Sequence, residues 1–439
     1  MTISLTPLTV LCSGLLISSS IYWTLFGYSS LLLRAKVKKR HPKKNYKIGV
    51  VIPACNEEKV IGDIITSLRN QTYPNWKAVI VCHNCTDNTY QKAREATRGD
   101  SRIVVIEVNR GDGKAIALNE GVKLLQDCDI IAQYDADNII HPLAFENAVK
   151  YFEEYDAIQG RLLTKNANAN LLTKMQEIEF DLFSHMFWYG RLCLGKPSPL
   201  AGTNSFFKRE ILEKVDYWSN ELVEDFDLFM KLANANARIA YAKDVVAWDE
   251  KPDTWKALIK QRRRWIKGHL RVAMKNSKML RKVKFDVFYL WSPVINLIWV
   301  ALTVLFLLKL LVLGPMIDFW YPSILVWATF TVIHLIFTIT LFRKYGHKFK
   351  YLFPFILYQY HWIPVTIRGL FLKNNWKISK TEHIFNGNNS IKAKSLSYRI
   401  GCKGFADTFW MVITILSFLI TGSLFAYSFI LYRPRGGSL

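Results

Sequence analysis

Residues 7–33, PLTVLCSGLLISSSIYWTLFGYSSLLL, hold no charged side chain, and the next fourteen, RAKVKKRHPKKNYK, hold eight Lys and Arg and no acid. An uncharged run of that length crosses a bilayer with some tilt. The basic flank sets its direction: the positive-inside rule puts the N-terminus outside and the chain beyond Leu33 in the cytoplasm. No basic residue precedes the run and it is too long for a signal-peptide core, so it reads as an anchor. The chain must therefore fold in two solvents, in keeping with a hydrophobic content of 51% over 439 residues.

Two more apolar runs, 285–313 and 322–342, are joined by a loop without basic residues and followed by RKYGHKFK, which predicts a transmembrane hairpin. A last run, 405–432, predicts one further crossing and an outer tail RPRGGSL, whose two arginines run against the rule. Residues 351–372 have the length to span, but Pro354, Gln359, His361, Pro364 and Arg368 interrupt them, and spanning would export a segment with seven Lys and Arg. They are expected to lie as an interfacial helix on the cytoplasmic face. The expected product is a multi-pass protein of the plasma membrane with its large soluble region in the cytosol.

The formal charge of +23 is placed mostly beside these runs, so it is read as membrane orientation and affinity for anionic lipid, with no nucleic-acid partner. Seven cysteines, at 12, 55, 82, 85, 128, 193 and 402, lack the spacing of a disulfide scaffold and fit a reducing compartment.

Between residues 46 and 250 short apolar runs alternate with helical patterns. Residues 47–53, 77–82, 102–108 and 128–134 read as strands. Helices are expected after Asn56 as N-cap, from Thr86 and from Lys114. Such alternation implies a parallel sheet covered on both faces, with ligands at the carboxyl ends of its strands. That rim then carries ACNEE, HNCTDN and DADN. No internal repeat or low-complexity segment interrupts the pattern.

Asp135 and Asp137 stand two apart behind a strand. Two carboxylates so close repel unless a cation sits by them, and hard oxygen ligands suit Mg2+ or Mn2+ holding a diphosphate. Glu224, Asp225 and Asp227 open a helical pattern, where acids also complement the helix dipole. Gln261, Arg264 and Trp265 precede a span, where basic and aromatic residues also anchor helices. Singly, each motif has an ordinary structural account.

Their order is what distinguishes them. Pro-Ala-Cys-Asn-Glu-Glu after a first strand, then Asp-x-Asp, Glu-Asp and Gln-x-x-Arg-Trp ahead of membrane segments resembles the family 2 glycosyltransferases, in particular the membrane-embedded synthases of cellulose, hyaluronan, chitin and poly-N-acetylglucosamine. The resemblance implies an α/β GT-A domain (a nucleotide-diphospho-sugar transferase fold) with a mixed, mostly parallel sheet, plus transmembrane and interfacial helices. It divides the chain into an anchor and basic segment (1–45), the GT-A domain (46–255), a segment carrying QRRRW (256–284), a hairpin (285–342), an interfacial and gating segment (343–404) and a last span (405–439).

The same resemblance implies roles. Asp137, with Asp135, would hold Mn2+ or Mg2+ on the diphosphate of a UDP-sugar. Asp225, beside Glu224, would be the general base, and Arg264 would offset charge on the leaving diphosphate. Pro53, Cys55, Glu57, His83, Asp87, Lys114, Asp135 and Gln261 would line the nucleotide-sugar side. Trp265, Gly202, Thr203 and Asn204 would face the acceptor, a growing glycan or a glycolipid. Trp376, Ile378 and Ser379 match the family's gating segment. Two positions depart from the pattern: Cys55 stands where a tyrosine is usual, and His83 where a base-contacting acid is usual.

Cys82, His83 and Cys85 also form a Cys-His-x-Cys cluster. A zinc site needs a fourth ligand, for which Cys55 is the nearby candidate, and a redox pair should open a helix. Cys82 is better read as a buried strand end and Cys85 as a turn residue. The leading expectation is an inverting, processive synthase that exports its β-linked product. A single-addition enzyme acting on a lipid-linked acceptor is the first alternative, and a transporter or receptor with a nucleotide-binding domain the second. The sugar, its linkage and any partner protein are not legible.

Overall fold

Ile48–Ala54, a run of β-branched and small residues, forms β1 near the middle of a sheet, and all of it except Pro53 is buried. The computed structural model describes residues 25–33, 35–276, 335–336 and 338–371. Within them β2 (Trp76–His83), β3 (Ile103–Val108), β4 (Ile130–Gln133), β5 (Ile139–Ile140), β6 (Ala157–Thr164), β7 (Ser205–Lys208) and β8 (Ile239–Asp249) complete an eight-stranded sheet, ordered β3-β2-β1-β4-β7-β6-β8-β5.

The pairs β1–β2, β2–β3, β1–β4 and β6–β8 are parallel; β4–β7, β6–β7 and β5–β8 are antiparallel. The sheet is thus mixed and mostly parallel. The uniformly parallel sheet expected from strict alternation holds for β1 to β4 and ends where β7 enters in reverse.

The helices are α1 (residues 25–32), α2 (Ile61–Arg69), α3 (Thr89–Thr97), α4 (Lys114–Val122), α5 (Ala144–Val149), α6 (Leu171–Phe183), α7 (Gly190–Cys193), α8 (Arg209–Lys214), α9 (Glu224–Asn234), α10 (Trp255–Lys275), α11 (residues 338–345), α12 (Leu352–Gln359) and α13 (Trp362–Leu370). A π-helical stretch, Ser184–Tyr189, joins α6 to α7.

Two apolar layers cover the sheet. Val50 and Ile52 face a cluster with Ile64, Ile80 and Phe145, while Val51 faces Val79, Leu118 and Phe229 on the other side. Burying each such side chain contributes about 1.5–3 kcal/mol. A Cβ on Gly121 would lie 2.6 Å from Val51 Cγ1 and 3.0 Å from Val81 Cγ2, so the glycine lets α4 settle onto β1 and β2. That contact fixes the height of Lys114 at the other end of α4.

Because β1, β2, β4, β6 and β8 run the same way, their carboxyl ends share one rim. The register Gln133↔Ser205 brings residues 201–204, ahead of β7, beside the loop that follows β4.

Two helix starts differ from expectation. Asn56 does not cap a helix: it takes a positive φ of 58°, and its Oδ1 accepts hydrogen bonds from the Thr86 amide (2.6 Å) and hydroxyl (3.2 Å), so α2 begins only at Ile61. The helix expected from Thr86 begins at Thr89, because Asp87 first folds back to accept from the Thr89 amide at 3.1 Å.

The single interfacial helix expected over 351–372 is two short helices, α12 and α13. Pro354 and Pro364 each stand in a first turn, where a missing N–H is least costly. Phe355 and Tyr358 pack on Ile178 and Leu258, and Val365 packs on Ile266 and Leu270. Among the described residues no helix is long and apolar enough to cross a membrane. The expected spans 285–313 and 405–432 and the greater part of both 322–342 and 7–33 lie outside them, as do Trp376, Ile378 and Ser379.

Candidate active site

Lys114, the first residue of α4, stands at the centre of the rim. Its Nζ is 2.5 Å from Asp135 Oδ1 and 3.2 Å from Glu224 Oε1, and it donates to the Gly202 carbonyl at 2.9 Å. Burial alone would lower this ammonium, but Asp135, Glu224 and Asp225 together hold it above the ordinary lysine value. Three carboxylates from β4's loop and α9 are thus gathered around one cation.

Asp225 is the second residue of α9, its Oδ1 accepting from the Phe226 amide at 2.8 Å. Burial, then the adjacent Glu224, push its carboxyl group up to about 7, against the pull of Lys114 and Arg264. A carboxylate poised there is matched to accepting a proton near neutrality. A Cβ on Gly202 would lie 3.1 Å from Asp225 Oδ2, so this glycine, at φ +74°, leaves the carboxylate its space.

The Asp-x-Asp loop is tightly held. The Asp135 amide donates to Thr203 Oγ1 at 3.0 Å, the Thr203 hydroxyl bonds Asn138 Oδ1, and Asn138 Nδ2 donates to Asp137 Oδ1 at 3.3 Å. Gln133 Nε2 donates to the Gly202 carbonyl at 2.6 Å while its Oε1 accepts from Trp218 Nε1 at 3.0 Å. Thr203 and Asn204, expected on the acceptor side, are used inward. Asn204 is fully buried, donates to the carbonyls of Arg161 (3.0 Å) and Val245 (3.1 Å), and accepts from the Tyr134 hydroxyl at 2.8 Å. Gly202 is the member of that loop bordering Asp225.

Asp135 and Asp137 fit a hard divalent cation by donor type: two carboxylates with diphosphate and water oxygens are how Mg2+ is commonly held. Among the described residues no three His, Cys, Asp or Glu side chains are grouped as a ready-made metal cage. A third acid, Asp249, arrives at the same rim on β8. Its Oδ2 pairs with Lys251 at 2.8 Å, its Oδ1 is buried without a hydrogen bond, and burial, together with Asp135, raises its carboxyl group despite Lys251. The sequence signal for Asp249 was the one used for Asp135, an acid ending an apolar strand.

Of the residues expected on the nucleotide side, Pro53 is the penultimate residue of β1. The Glu57 amide donates to Thr89 Oγ1 at 2.7 Å, and the Glu58 amide to Asp87 Oδ2 at 3.4 Å. Asp87 therefore ties the β1 and β2 loops together. His83 is 4% exposed with Nε2 3.1 Å from the Arg110 carbonyl, so the ring is engaged with the 110–111 loop. Cys55 Sγ lies 3.8 Å from the Asn84 carbonyl, and Cys82 is buried within β2.

Gln261, Arg264 and Trp265 share one face of α10, three and four residues apart. Arg264 Nη1 donates to the Leu222 carbonyl at 2.8 Å, a Cβ on Gly268 would lie 2.8 Å from Val223 Cγ2, and His269 stacks on Phe226 at 3.9 Å. The helix thus grips the chain on both sides of Glu224–Asp225.

Trp265 meets Phe180 edge-on at 6.4 Å and the Arg262 guanidinium at 4.2 Å. Arg262 in turn bonds Glu179 at 2.7 Å, and Glu179 also accepts from Tyr358 (2.9 Å) and Trp362 Nε1 (2.9 Å). Glu179 and Arg262 escaped sequence reading because their link crosses 83 positions of chain.

The profile described as glycosyltransferase like family 2 matches residues 45–268. A probable glycosyltransferase, YdaM, of Bacillus subtilis (strain 168) is 28% identical over 408 residues, 83% of this chain and 95% of that protein. A poly-beta-1,6-N-acetyl-D-glucosamine synthase of Staphylococcus epidermidis is 26% identical over 366 residues, 79% of this chain and 87% of its own. Among solved structures, the mannosyltransferase PcManGT from Pyrobaculum calidifontis, in complex with GDP-Man and Mn2+, superposes with a TM-score of 0.49 at 20% identity, covering 61% of this chain and 74% of that one.

Proposed function

The chain belongs to glycosyltransferase family 2, and from that premise we propose that it is an inverting synthase that extends a β-linked polysaccharide from a UDP-sugar at the cytosolic face of a membrane and exports the product. The transporter or receptor reading lapses, since the family is one of enzymes. N-acetylglucosamine is the sugar to test first, because the Staphylococcus epidermidis relative is named for a polymer of it.

The observation that carries the reading is the convergence of Asp135, Glu224 and Asp225 on Lys114, with Arg264 bonded to the carbonyl two residues before Glu224. Asp225 takes the proton of an acceptor hydroxyl as that oxygen attacks the anomeric carbon. The bond from that carbon to the diphosphate breaks on the opposite side, giving inversion, and Arg264 offsets the charge on the departing diphosphate. Asp135 and Asp137 would hold Mn2+ or Mg2+, which when bound neutralises the diphosphate. Trp265 carries the acceptor sugar, with its ring steadied by Arg262.

For the membrane reading, the support comes from the sequence spans and from α12–α13. Phe353, Leu357 and Phe371 are 69%, 55% and 82% exposed there, an apolar face suited to the cytosolic surface of a bilayer. The anchor, hairpin and last span, with the gating residues Trp376, Ile378 and Ser379, complete the arrangement.

The test is product length. Purified full chain incubated with labelled UDP-N-acetylglucosamine and Mn2+ should yield long chains from the first turnovers. One sugar per acceptor would replace the synthase with a single-addition enzyme, and no transfer from any UDP-sugar would overturn the donor.

A further inference from the structure

Two backbone irregularities meet at a patch lined by Arg161, Lys243 and His185. The π-helical stretch Ser184–Tyr189 interrupts the run from α6 to α7. The pairing of β6 with β8 jumps from Gly160↔Ala242 to Arg161↔Val246, which leaves Lys243, Asp244 and Val245 bulged out of the ladder. Bulges of both kinds re-aim side chains and recur at functional sites.

Here they gather cations. Lys243 Nζ lies 3.0 Å from the centre of the Tyr189 ring. His185 packs against Tyr189 and Tyr345, each at 5.4 Å between ring centres, and its Nε2 is 3.2 Å from Lys344 Nζ. The Arg161 guanidinium stands 5.7 Å from the Tyr345 ring.

Among the described residues, acid is scarce in this patch. Asp181 faces both Arg161 (3.4 Å) and His347 (3.3 Å). The His347 Nε2 is buried and makes no hydrogen bond. Asp244, next to Lys243 in sequence, is turned to Lys39 at 2.8 Å and to the Tyr151 hydroxyl. Lys243 makes no ion pair with the described residues. Burial, then Lys344 and Arg161, push it down to about 7, while burial, then Lys344 and Lys243, hold His185 well below the ordinary histidine value. Holding Arg161 and Lys243 largely out of water beside Lys344 is costly, and an anion relieves that cost.

The position of the patch says which anion. The Ser29 hydroxyl of α1 donates to the Gly190 carbonyl at 3.0 Å, and Tyr28 packs with Leu341 of α11, against Met186 and Tyr345. Helix α1 lies at the end of the uncharged run 7–33, just ahead of RAKVKKR, and α11 carries the end of the run 322–342 into the basic sequence RKYGHKFK. On the proposed membrane arrangement, on which this site rests, that is the depth of the phospholipid phosphates.

We propose that Arg161, Lys243 and Lys344 form a binding site for the phosphate of an anionic phospholipid headgroup, walled by His185, Tyr189 and Tyr345. The full chain is reconstituted in nanodiscs of phosphatidylcholine with a minor fraction of phosphatidylglycerol, and the lipid retained after detergent transfer is measured by native mass spectrometry. Wild type should retain phosphatidylglycerol in preference to phosphatidylcholine, and Lys243→Gln should weaken that preference about fivefold. Lys344→Glu, at the exposed end of the cluster, should abolish it with the fold intact. Lys36→Gln with Lys38→Gln, which removes charge from the adjacent basic segment only, should leave it unchanged.

Equal retention by wild type, Lys243→Gln and Lys344→Glu overturns the site. Thermal stabilisation by free glycerol phosphate equal to that by the lipid assigns the patch to a soluble phosphate and overturns the lipid as occupant. Failure of the chain to enter nanodiscs at all overturns the membrane reading instead, a result distinct from entry without selectivity.

Discussion

Lys114 and Lys243 are the same side chain in two surroundings. Both are largely withdrawn from water, yet one ammonium is held above its ordinary value and the other is pushed down to about 7. Burial acts in the same direction on each, so the neighbours decide. Lys114 faces Asp135, Glu224 and Asp225; Lys243 faces Lys344, Arg161 and an aromatic ring. The rim is a place of surplus acid, fitted to a cation or to a proton in transfer, and the second patch is a place of surplus base, fitted to an anion. Each can be broken by changing one charge, with effects of opposite sign.

The largest effect is expected at Asp225. Asp225→Asn keeps the shape and removes the proposed proton acceptor, so kcat should fall by about 10^3-fold, or ~4 kcal/mol, with little change in UDP-sugar affinity. The wild-type initial rate should climb with pH through about 7, where the carboxyl group ionises. The sign for stability is the reverse. With its folded value raised above the unfolded one, Asp225 contributes stability that is full at low pH and lost as pH rises through about 7. Asp225→Asn should therefore melt higher than wild type at pH 8 while being nearly inactive. Equal melting across pH 5–8 would show that Glu224 and Lys114 already balance the site.

Removing the cation from the same cluster comes next. Lys114→Ala leaves Asp135, Glu224 and Asp225 facing one another, and loss of one partner from such a cluster costs about 3 kcal/mol. Mn2+ or Mg2+ should recover part of that melting loss in the variant and less in wild type, since the metal meets the carboxylate that Lys114 occupies. A variant whose stability ignores both metals would separate Lys114 from the proposed metal-holding residues Asp135 and Asp137.

Glu179→Gln tests whether Trp265, the proposed acceptor floor, is held in place from α12 and α13. The change weakens a charged hydrogen bond to the buried Arg262 while sparing the shape, an effect of about 2 kcal/mol. Because Arg262 lies against Trp265, the acceptor KM should rise and the product shorten, with the donor KM unchanged. A uniform loss of kcat with unchanged product length would make Glu179 a residue of general stability only.

The two regions were unequally legible. Asp135, Asp137, Glu224 and Asp225 follow strands or open a helix in plain sequence, and β1 to β4 are short β-branched runs between turn residues, which local pattern reveals. β6 reads AIQGRLLT, where Gln159, Gly160 and Arg161 break the apolar run, because Gln159 serves Ala201 and Ser205 and a Cβ on Gly160 would strike the Asn204 amide. The inward use of Asn204, the placing of Asp249 beside Asp135, the Glu179–Arg262 link and the Lys243 bulge all depend on which strands become neighbours. No local period encodes that. Asn56 misled for a related reason: the same side chain that caps helices here holds the facing loop.

Lys243→Met has the smallest expected effect and the most diagnostic sign. Deleting a charge usually destabilises a buried pair, but Lys243 has no acid partner among the described residues and repels Lys344 and Arg161. Its folded value lies below the unfolded one, so between about pH 7 and pH 10 the unfolded chain binds the extra proton and wild-type stability rises with pH. The methionine variant should lose that slope and, in neutral-lipid nanodiscs at pH 7, melt higher by about 1 kcal/mol, the low end of what replacing buried charge by apolar volume returns. Phosphatidylglycerol should reverse the order, stabilising wild type and leaving the variant where it was. A variant less stable than wild type in every lipid would mean that the contact of Lys243 with the Tyr189 ring outweighs its repulsion, and the contrast with Lys114 would then be one of degree.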